Sequence, residues 1–566
     1  MRADDWIINY LINKGVTDVF GIPGVVIMDF LYAIEKRTPR IVPHLNYHEQ
    51  GAAFAACGYA QVTGKLGVAY STRGPGFTNM LTAMADAYYD SIPVMFITAH
   101  SSKELEPNMR VLNNQEIDTV SLAKGISKIA TRIDSIEDLQ DGVELAYREA
   151  TTGRKGPVLL DIWNALFSME VREFPNRGCV GTETKGNYRN NDEHALIETL
   201  EEKLKKSSRP IILIGNGARG EDNSEKIKAV AEHLNIPILS SRSAQDIVPD
   251  SPFYYGYVGS RATRYSNFIL SKADLIISIG NRLSFPVNSK SFLPIVEKAF
   301  TIRIDADNTE FIRQIPNSVG YCLDCLSAIG IMLRTNLSYC NSDEWIKTCK
   351  YLRNKLDKYD NNAVISNLMS IIGACGPSST LVCDVGNHSF WATIAYSYQK
   401  ASNRIMYSGS FGTLGSALPK SIGAHYATHE SVVCFTGDQG VQFNIQELQY
   451  ISRHRIPIAI VILNNASSGM IMEREVARYG EHLVHTTVES GYSFPDFRKV
   501  AECYQIDYIR VEEGETFQGG SFNKPQIIEV LINPCTFLEP SLPVGKVCQN
   551  LSPELPKDLY NELDNL

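Results

Sequence analysis

No stretch of this chain offers the roughly 18 consecutive apolar residues that a membrane-crossing helix needs, so nothing in the sequence reads as a transmembrane span. Surplus basic charge is missing too. The chain has 54 Lys and Arg against 63 Asp and Glu, a net charge of −9, and no basic stripe, which argues against nucleic acid as a partner. Met1-Arg2-Ala3-Asp4-Asp5 leads straight into an amphipathic helix, without the apolar centre of a signal peptide. Paired cysteine motifs are scarce: among 12 cysteines, Cys322 and Cys325 make one CxxC and no second pair follows. That removes a four-ligand zinc site and a disulfide framework. Scattered through apolar runs, the cysteines read as reduced thiols of a cytoplasmic protein. No short internal repeat points to a solenoid.

The chain does have the balance of a globular protein, with 44% hydrophobic and 21% charged residues over 566 positions, enough for three domains. A first block, 1–170, closes after the buried strand Gly156-Pro157-Val158-Leu159-Leu160-Asp161-Ile162. A polar, Gly/Asn-rich linker follows around Arg177 to Asp192. The second block, 193–340, alternates strands (Pro210 to Gly215, Leu275 to Gly280, Phe300 to Ile304) with helices. The third spans 360–540, and a tail rich in proline and charge, 541–566, is expected to wrap the surface or a neighbouring subunit. All three blocks read as doubly wound α/β.

Two segments of the third block carry chemistry. Val432-Val433-Cys434-Phe435-Thr436-Gly437-Asp438 and Ile458-Ala459-Ile460-Val461-Ile462-Leu463-Asn464-Asn465 are apolar, mostly β-branched runs that stop at oxygen-bearing side chains. Buried parallel strands end this way at a functional edge. Gln442 to His454 between them has helical character, making a β-α-β unit whose ligands sit beyond the carboxyl ends of the strands. One carboxylate, Asp438, and one amide oxygen, Asn465, suit a hard Mg²⁺ or Ca²⁺ that completes its shell with phosphate oxygens and water. Alone, the pattern is equally that of a strand end with a capping aspartate.

Three more pieces stand upstream: Val19-Phe20-Gly21-Ile22-Pro23-Gly24; Asn46-Tyr47-His48-Glu49-Gln50-Gly51-Ala52-Ala53, opening a small-residue helix that runs to Gly64; and the strand Leu66 to Ser71 followed by Arg73-Gly74-Pro75-Gly76-Phe77-Thr78-Asn79. In this order and spacing the chain resembles the thiamine-diphosphate (ThDP) enzymes of the acetolactate synthase and pyruvate oxidase family. Gln439 departs from that pattern, standing where the family has a third glycine, with Gly440 after it. The resemblance implies three Rossmann-like domains: a pyrimidine-binding ThDP fold, a central FAD-type domain and a diphosphate-binding ThDP fold. It makes Glu49 the catalytic carboxylate, a dry group that stabilises the imino form of the aminopyrimidine so that the imine removes the thiazolium proton. It implies ThDP contacts at Glu49, Gly74, Asn79, Asn387, His388, Gly412, Thr413, Leu414, Asp438, Gln439, Gly440, Asn465 and Met470. Leu414 is then the wedge that bends the cofactor, and Ser467 adds a backbone oxygen to a metal held by Asp438 and Asn465. Because the family's glutamate and diphosphate site come from different subunits, a homodimer or homotetramer is implied.

In the central block, Ile214-Gly215-Asn216-Gly217-Ala218 follows a strand and precedes a helix, a short glycine turn that is often no more than a tight turn. The resemblance adds that Arg154, Gly215, Gly217, Gly280, Arg282, Asp305 and Asp324 fall where acetolactate synthases hold FAD, the arginines toward the pyrophosphate. It implies a structural rather than a redox flavin, in a superfamily where such sites also occur empty.

The substrate side follows the family less closely. Gln115 matches a glutamine near the reacting carbon and Lys128 a lysine at the entrance, although Lys128 reads equally as a solvated lysine. Asn114 replaces an expected phenylalanine, and Trp163-Asn164-Ala165 an expected Pro-Lys-Asp. Pro286 occupies the place of the arginine that holds the acceptor keto acid, and Arg474 that of a pocket tryptophan. Loss of one charged partner removes roughly 1.5–3 kcal/mol of binding. No adjacent histidine pair of the pyruvate decarboxylase kind occurs: His44 and His48 are four apart and His100 is alone. The expectation is a ThDP- and Mg²⁺-dependent carboligase that decarboxylates pyruvate and passes the two-carbon acyl-anion unit to a carbonyl acceptor other than a second keto acid. A nucleotide-linked keto-deoxysugar, as in the carboligase of yersiniose synthesis, is an example. The alternatives are a true acetolactate synthase using Arg474, and a non-catalytic ThDP-fold regulatory subunit.

Overall fold

The computed structural model describes all residues except 103–108, 111–112, 172–189, 221, 284–288, 336, 338 and 340–341. The linker expected around Arg177 to Asp192 therefore lies almost wholly outside the described residues, and the helix Asn190–Lys206 takes up its last positions.

Among the described residues three six-stranded sheets form, with every strand pairing in them parallel. The first contains β1 (Asp18–Gly21), β2 (Val42–Leu45), β3 (Gly67–Tyr70), β4 (Val94–His100), β5 (Ile129–Ile133) and β6 (Val158–Trp163). Its spatial order is β2-β1-β3-β4-β6-β5. The second contains β7 (Pro210–Ile214), β8 (Ile238–Ser240), β9 (Tyr254–Tyr257), β10 (Leu275–Ile279), β11 (Phe300–Asp305) and β12 (Ser318–Cys322). Its order is β12-β11-β10-β7-β8-β9, the doubly wound arrangement that changes direction between its first and fourth strands. The third contains β13 (Thr380–Cys383), β14 (Ile405–Tyr407), β15 (Val432–Gly437), β16 (Ile458–Asn464), β17 (Asp507–Val511) and β18 (Gln526–Leu531), in the order β14-β13-β15-β16-β18-β17. Strand for strand, this is the order of the first sheet. The three doubly wound domains expected from the sequence are thus present.

The chain divides into two compact units. One holds the first and third sheets (1–180, 374–389 and 404–536), the other the second sheet with the tail (181–373, 390–403 and 537–566). In the first unit two helices of small residues meet. Glu49–Thr63 begins at the N-cap His48, whose Nδ1 accepts from Gln50 N, and ends at Gly64 in the left-handed region (φ 66°). Its residues Gly51 to Ala60 are all buried, as are Ala417 to Ala424 of the helix Ala417–Thr428. Contact is backbone to backbone. A Cβ on Gly58 would lie 2.1 Å from the Lys420 carbonyl oxygen, and one on Gly423 only 1.8 Å from that of Ala55. One continuous apolar core surrounds the pair, from Phe20 and Phe96 to Ile460 and Phe497. The helical character expected over Gln442 to His454 resolves into a 3₁₀ turn, Gly440–Asn444, and a helix, Glu447–His454.

In the second unit the tail docks rather than dangles. The buried Arg264 pairs with Asp360 at 2.7 Å and donates to the Leu551 and Pro553 carbonyls, while Lys272 Nζ donates to Asp564 O. Among the described residues no helix is long and apolar enough to cross a membrane, and ten cysteines are free thiols.

A Gly423→Ala substitution is expected to destabilise the protein by roughly 1–3 kcal/mol or more, because the added methyl overlaps a carbonyl. Gly330→Ala, in a helix with open space around the position, should instead stabilise by about 0.5–1 kcal/mol. Urea unfolding midpoints of the two variants check both signs.

Candidate functional site

Strand register builds the site. β15 pairs with β16 from Val432↔Ile458 to Gly437↔Leu463, so Asp438 and Asn464–Asn465 leave the sheet side by side at its carboxyl edge. The change of strand direction lies one strand away, between β13 and β15, where Asp384 to His388 also emerge.

Asp438 is 2% exposed. Its Oδ1 accepts from Gln439 N at 3.1 Å, and its Oδ2 is buried with no hydrogen-bond partner. The Tyr492 phenol stands against it without a well-aligned hydrogen bond. Burial, only partly offset by the Tyr492 phenol and then by backbone N–H groups such as those of Gln439 and Ala466, pushes this carboxyl up to about 7. Asn465 donates to Ser467 Oγ at 2.8 Å, leaving its amide oxygen to other partners. Ala466 between them is left-handed (φ 51°), the kind of strain that accumulates where a chain must present its groups in one direction. A buried carboxylate oxygen without a well-aligned hydrogen bond, beside an amide oxygen and a turned backbone, fits a hard divalent cation. Among the described residues no cluster of three or more His, Cys, Asp or Glu is found, so such a cation would draw its remaining ligands from backbone, water and phosphate.

Gln439 takes ordinary right-handed angles (φ −85°, ψ −46°), so this turn needs no glycine there. The glycine it needs is Gly440: a Cβ would lie 2.8 Å from Asp384 Oδ2, 3.0 Å from Thr436 Oγ1 and 3.3 Å from Leu414 Cδ1. Leu414 is therefore at the same carboxyl edge as Asp438, and Gly412 before it is left-handed (φ 74°). Asp384, buried, accepts from Gly415 N at 2.8 Å and Thr436 Oγ1 at 3.1 Å, and burial raises it to about 6. His388 packs on Gly437, and Asn387 donates to Glu473 at 2.7 Å near Gly469, next to Met470. An open cavity of about 570 Å³ adjoins Asp438, lined by Gln439, Gln442, Phe443, His485 and Tyr492 among others.

The other carboxyl edge of this unit gathers Glu49, Gly74, Asn79 and Gln115. Glu49, half-buried in a single chain, accepts from Asn79 Nδ2 at 2.9 Å. Gly74 (φ 60°) opens the helix Pro75–Asp90, and a Cβ on it would meet the Gln115 carbonyl at 2.2 Å. Gln115, itself left-handed (φ 59°), and Asn114 are exposed. Lys128 does not join them. It precedes β5 at the amino edge of the sheet, where its ammonium donates to the Glu149 and Thr152 carbonyls at the end of the helix Ile136–Thr151. That is the contact of a basic side chain with a helix terminus, apart from Glu49 and Gln115 in the chain.

Arg474 is exposed one turn after Met470 on the helix Gly469–Tyr479. Pro286 lies outside the described residues. In the second unit Gly215, Gly217 and Gly280 stand at the change of strand direction and press on one another: a Cβ on Gly215 would lie 2.1 Å from Gly280 O. Asp324 caps the helix Cys325–Arg334 through Ser327 N, and Asp305 accepts from Asp307 N. Arg282 accepts at its carbonyl from Arg313. Arg154 belongs to the other unit, where its Nε donates to Ser91 at 3.0 Å.

Sequence reasoning passed over a buried ion pair. Lys420 Nζ meets Asp86 Oδ2 at 2.7 Å, with both side chains essentially unexposed. Asp86 Oδ1 also accepts from Ser408 and Thr413, and Asp90 from Gly409 N and Ser410 N. Two aspartates on one helix thus pin the loop that carries Leu414. A lone lysine in Ala-Leu-Pro-Lys-Ser-Ile-Gly-Ala and a lone aspartate in Ala-Met-Ala-Asp-Ala were the available signal.

Comparison with known proteins gives a consistent picture. Residues 1–122 match the thiamine pyrophosphate enzyme N-terminal binding domain, 197–330 the central domain, and 384–520 the C-terminal binding domain of those enzymes. The acetolactate synthase large subunit of Lactococcus lactis is 30% identical over 95% of this chain and 94% of its own length. The isozyme 2 large subunit of Escherichia coli is 31% identical over 96% and 98%. A probable acetolactate synthase large subunit of Methanocaldococcus jannaschii is 29% identical over 100% and 98%.

The folded Asp438 carboxyl holds its proton up to about pH 7, against about 4 in an unfolded chain. The metal-free protein therefore loses stability as pH rises from 4 to 7. Asp438→Asn should recover roughly 2–4 kcal/mol of it at pH 8 and abolish the stabilisation given by Mg²⁺ with a diphosphate ester. Thermal unfolding in chelator and in Mg²⁺, at pH 6 and pH 8, measures both effects.

Proposed function

Because this chain belongs to the thiamine pyrophosphate enzyme family, alongside the acetolactate synthase large subunits, we propose that it decarboxylates pyruvate and transfers the two-carbon acyl-anion unit to a carbonyl acceptor other than a second keto acid. Bound ThDP supplies the nucleophilic thiazolium carbon and the electron sink for loss of carbon dioxide. Asp438, the Asn465 amide oxygen and the Ser467 backbone oxygen would hold Mg²⁺. Asn387, His388, Gly412, Thr413, Gln439, Gly440 and Met470 would contact ThDP, with Leu414 as the apolar wedge against the cofactor. Glu49, held by Asn79, would hydrogen-bond the aminopyrimidine and hold a proton there. Gln115, with its backbone against Gly74, would lie near the reacting carbon. The family's division of the site between two subunits makes the working form a homodimer or a larger homo-oligomer.

One observation carries the choice of acceptor: Pro286 stands where the family has the arginine that holds the keto-acid carboxylate, and Asn114 and Arg474 stand where it has a phenylalanine and a tryptophan of the pocket. Arg474 is a solvent-facing guanidinium one helical turn past Met470, and it suits a diphosphate as well as a carboxylate. A nucleotide-linked keto-deoxysugar offers both the acceptor carbonyl and that diphosphate. Acetolactate synthesis through Arg474 is the second reading. The intact Glu49, Asp438 and Asn465 speak against a non-catalytic subunit.

We place FAD, as a structural group, at the change of strand direction of the second sheet, beside Gly215, Gly217, Gly280, Arg282, Asp305 and Asp324. The purified protein should then be yellow, with a flavin absorbance band; a colourless, flavin-free preparation rejects it.

Incubation of the protein with pyruvate, ThDP and Mg²⁺ alone should release carbon dioxide slowly and give little acetolactate. Stoichiometric acetolactate would establish the second reading, and no pyruvate consumption would sink both. Glu49→Gln should bind ThDP and lose turnover.

A further inference from the structure

The backbone in front of Glu49 is gripped by a carboxylate from the other ThDP-fold half of the same compact unit. Glu447 opens the helix Glu447–His454 and is 0% exposed. Its Oε2 accepts from Asn46 Nδ2 at 2.9 Å and its Oε1 from Tyr47 N at 3.1 Å, and His48 N is directed at the same group. These three residues immediately precede Glu49. A Cβ on Gly51 would lie 2.3 Å from Glu447 Oε1, so the first turn of the Glu49–Thr63 helix is cut back to admit this side chain. Asn444, three residues earlier, donates to Gln50 Oε1 at 3.3 Å and to the Gly415 carbonyl at 2.8 Å. Glu49 is thus bracketed on both sides by groups of one short segment.

We propose that Glu447 is a positioning residue for Glu49, fixing the backbone from which the catalytic carboxylate projects. The inference rests on the reading of Glu49 given above. Three N–H donors converge on one side chain, which two carboxylate oxygens can satisfy. A glutamine offers one oxygen and turns an N–H₂ toward donors. Burial pushes the Glu447 carboxyl up to about 7, so the group is costly where it stands. An apolar side chain would pack there at less cost and hold nothing.

The test uses the full-length protein loaded with ThDP and Mg²⁺, as Glu447→Gln, Glu447→Ala and Glu49→Gln variants. The rate at which the thiazolium proton exchanges with deuterium, followed by quenched NMR, reads the work of Glu49 without turnover. Glu447→Gln should slow it roughly 10- to 100-fold, the scale of a misplacement near 1 Å. ThDP affinity should change far less, and in the cofactor-free protein amide exchange at Tyr47 and His48 should accelerate. Exchange of the thiazolium proton at the native rate in Glu447→Gln overturns the proposal, whatever happens to thermal stability. Native-rate exchange in Glu49→Gln instead overturns the reading of Glu49 on which it stands. Should Glu447→Ala fail to fold, Glu447→Gln alone decides.

Discussion

Everything that brings chemistry together in the first unit passes through the crossing of the Glu49–Thr63 and Ala417–Thr428 helices. Gly58 lies on the Lys420 carbonyl and Gly423 on that of Ala55, closer than any side chain allows. Two helices held at this distance cannot slide, because each step of register would drive a Cβ into a carbonyl. The glutamate loop begins one of these helices and the Leu414 loop leads into the other. Their rigidity is therefore inherited from a contact made of almost nothing but backbone. The buried Lys420–Asp86 pair ties the second of these helices to a third, Pro75–Asp90, whose Asp86 also holds Ser408 and Thr413. Removing one member of such a pair strands a charge in the core, typically at 3–5 kcal/mol.

Around that crossing the polar groups work by restraint. Asp384 takes Gly415 and Thr436, Asn444 takes Gln50 and Gly415, and Glu447 takes the residues before Glu49. Each is a buried acceptor or amide that satisfies backbone groups of a loop, where a regular element would have satisfied them itself. Loops at the sheet edge acquire in this way the fixed geometry that strands have by pairing.

The strand ends at Asp438 and Asn465 were legible because a β-branched run that halts at a carboxylate or amide is a local signal, and the register of β15 with β16 turned it into adjacency. The helix after His48 was legible from its small residues and from Gly64. Glu447 and Lys420 were not, because nothing within a few residues of either says which carbonyl or amide, some 330 to 400 positions away, it will meet. Lys128 shows the opposite failure: resemblance gave it a role at the site entrance, and the amino edge of the sheet gave it helix carbonyls instead. Gln439 was a departure in sequence but not in shape, since its backbone angles are ones any residue adopts.

The first and third sheets share one strand order, although no repeat is visible along the chain. That is the signature of a duplicated plan whose copies have parted company in letters and kept their architecture. One copy came to present a glutamate and glycines at its carboxyl edge, the other a carboxylate and amides. Inheritance could then act on the two edges separately: a lineage can change side chains at the carboxyl edge of one copy without disturbing the strand order on which the other copy is built.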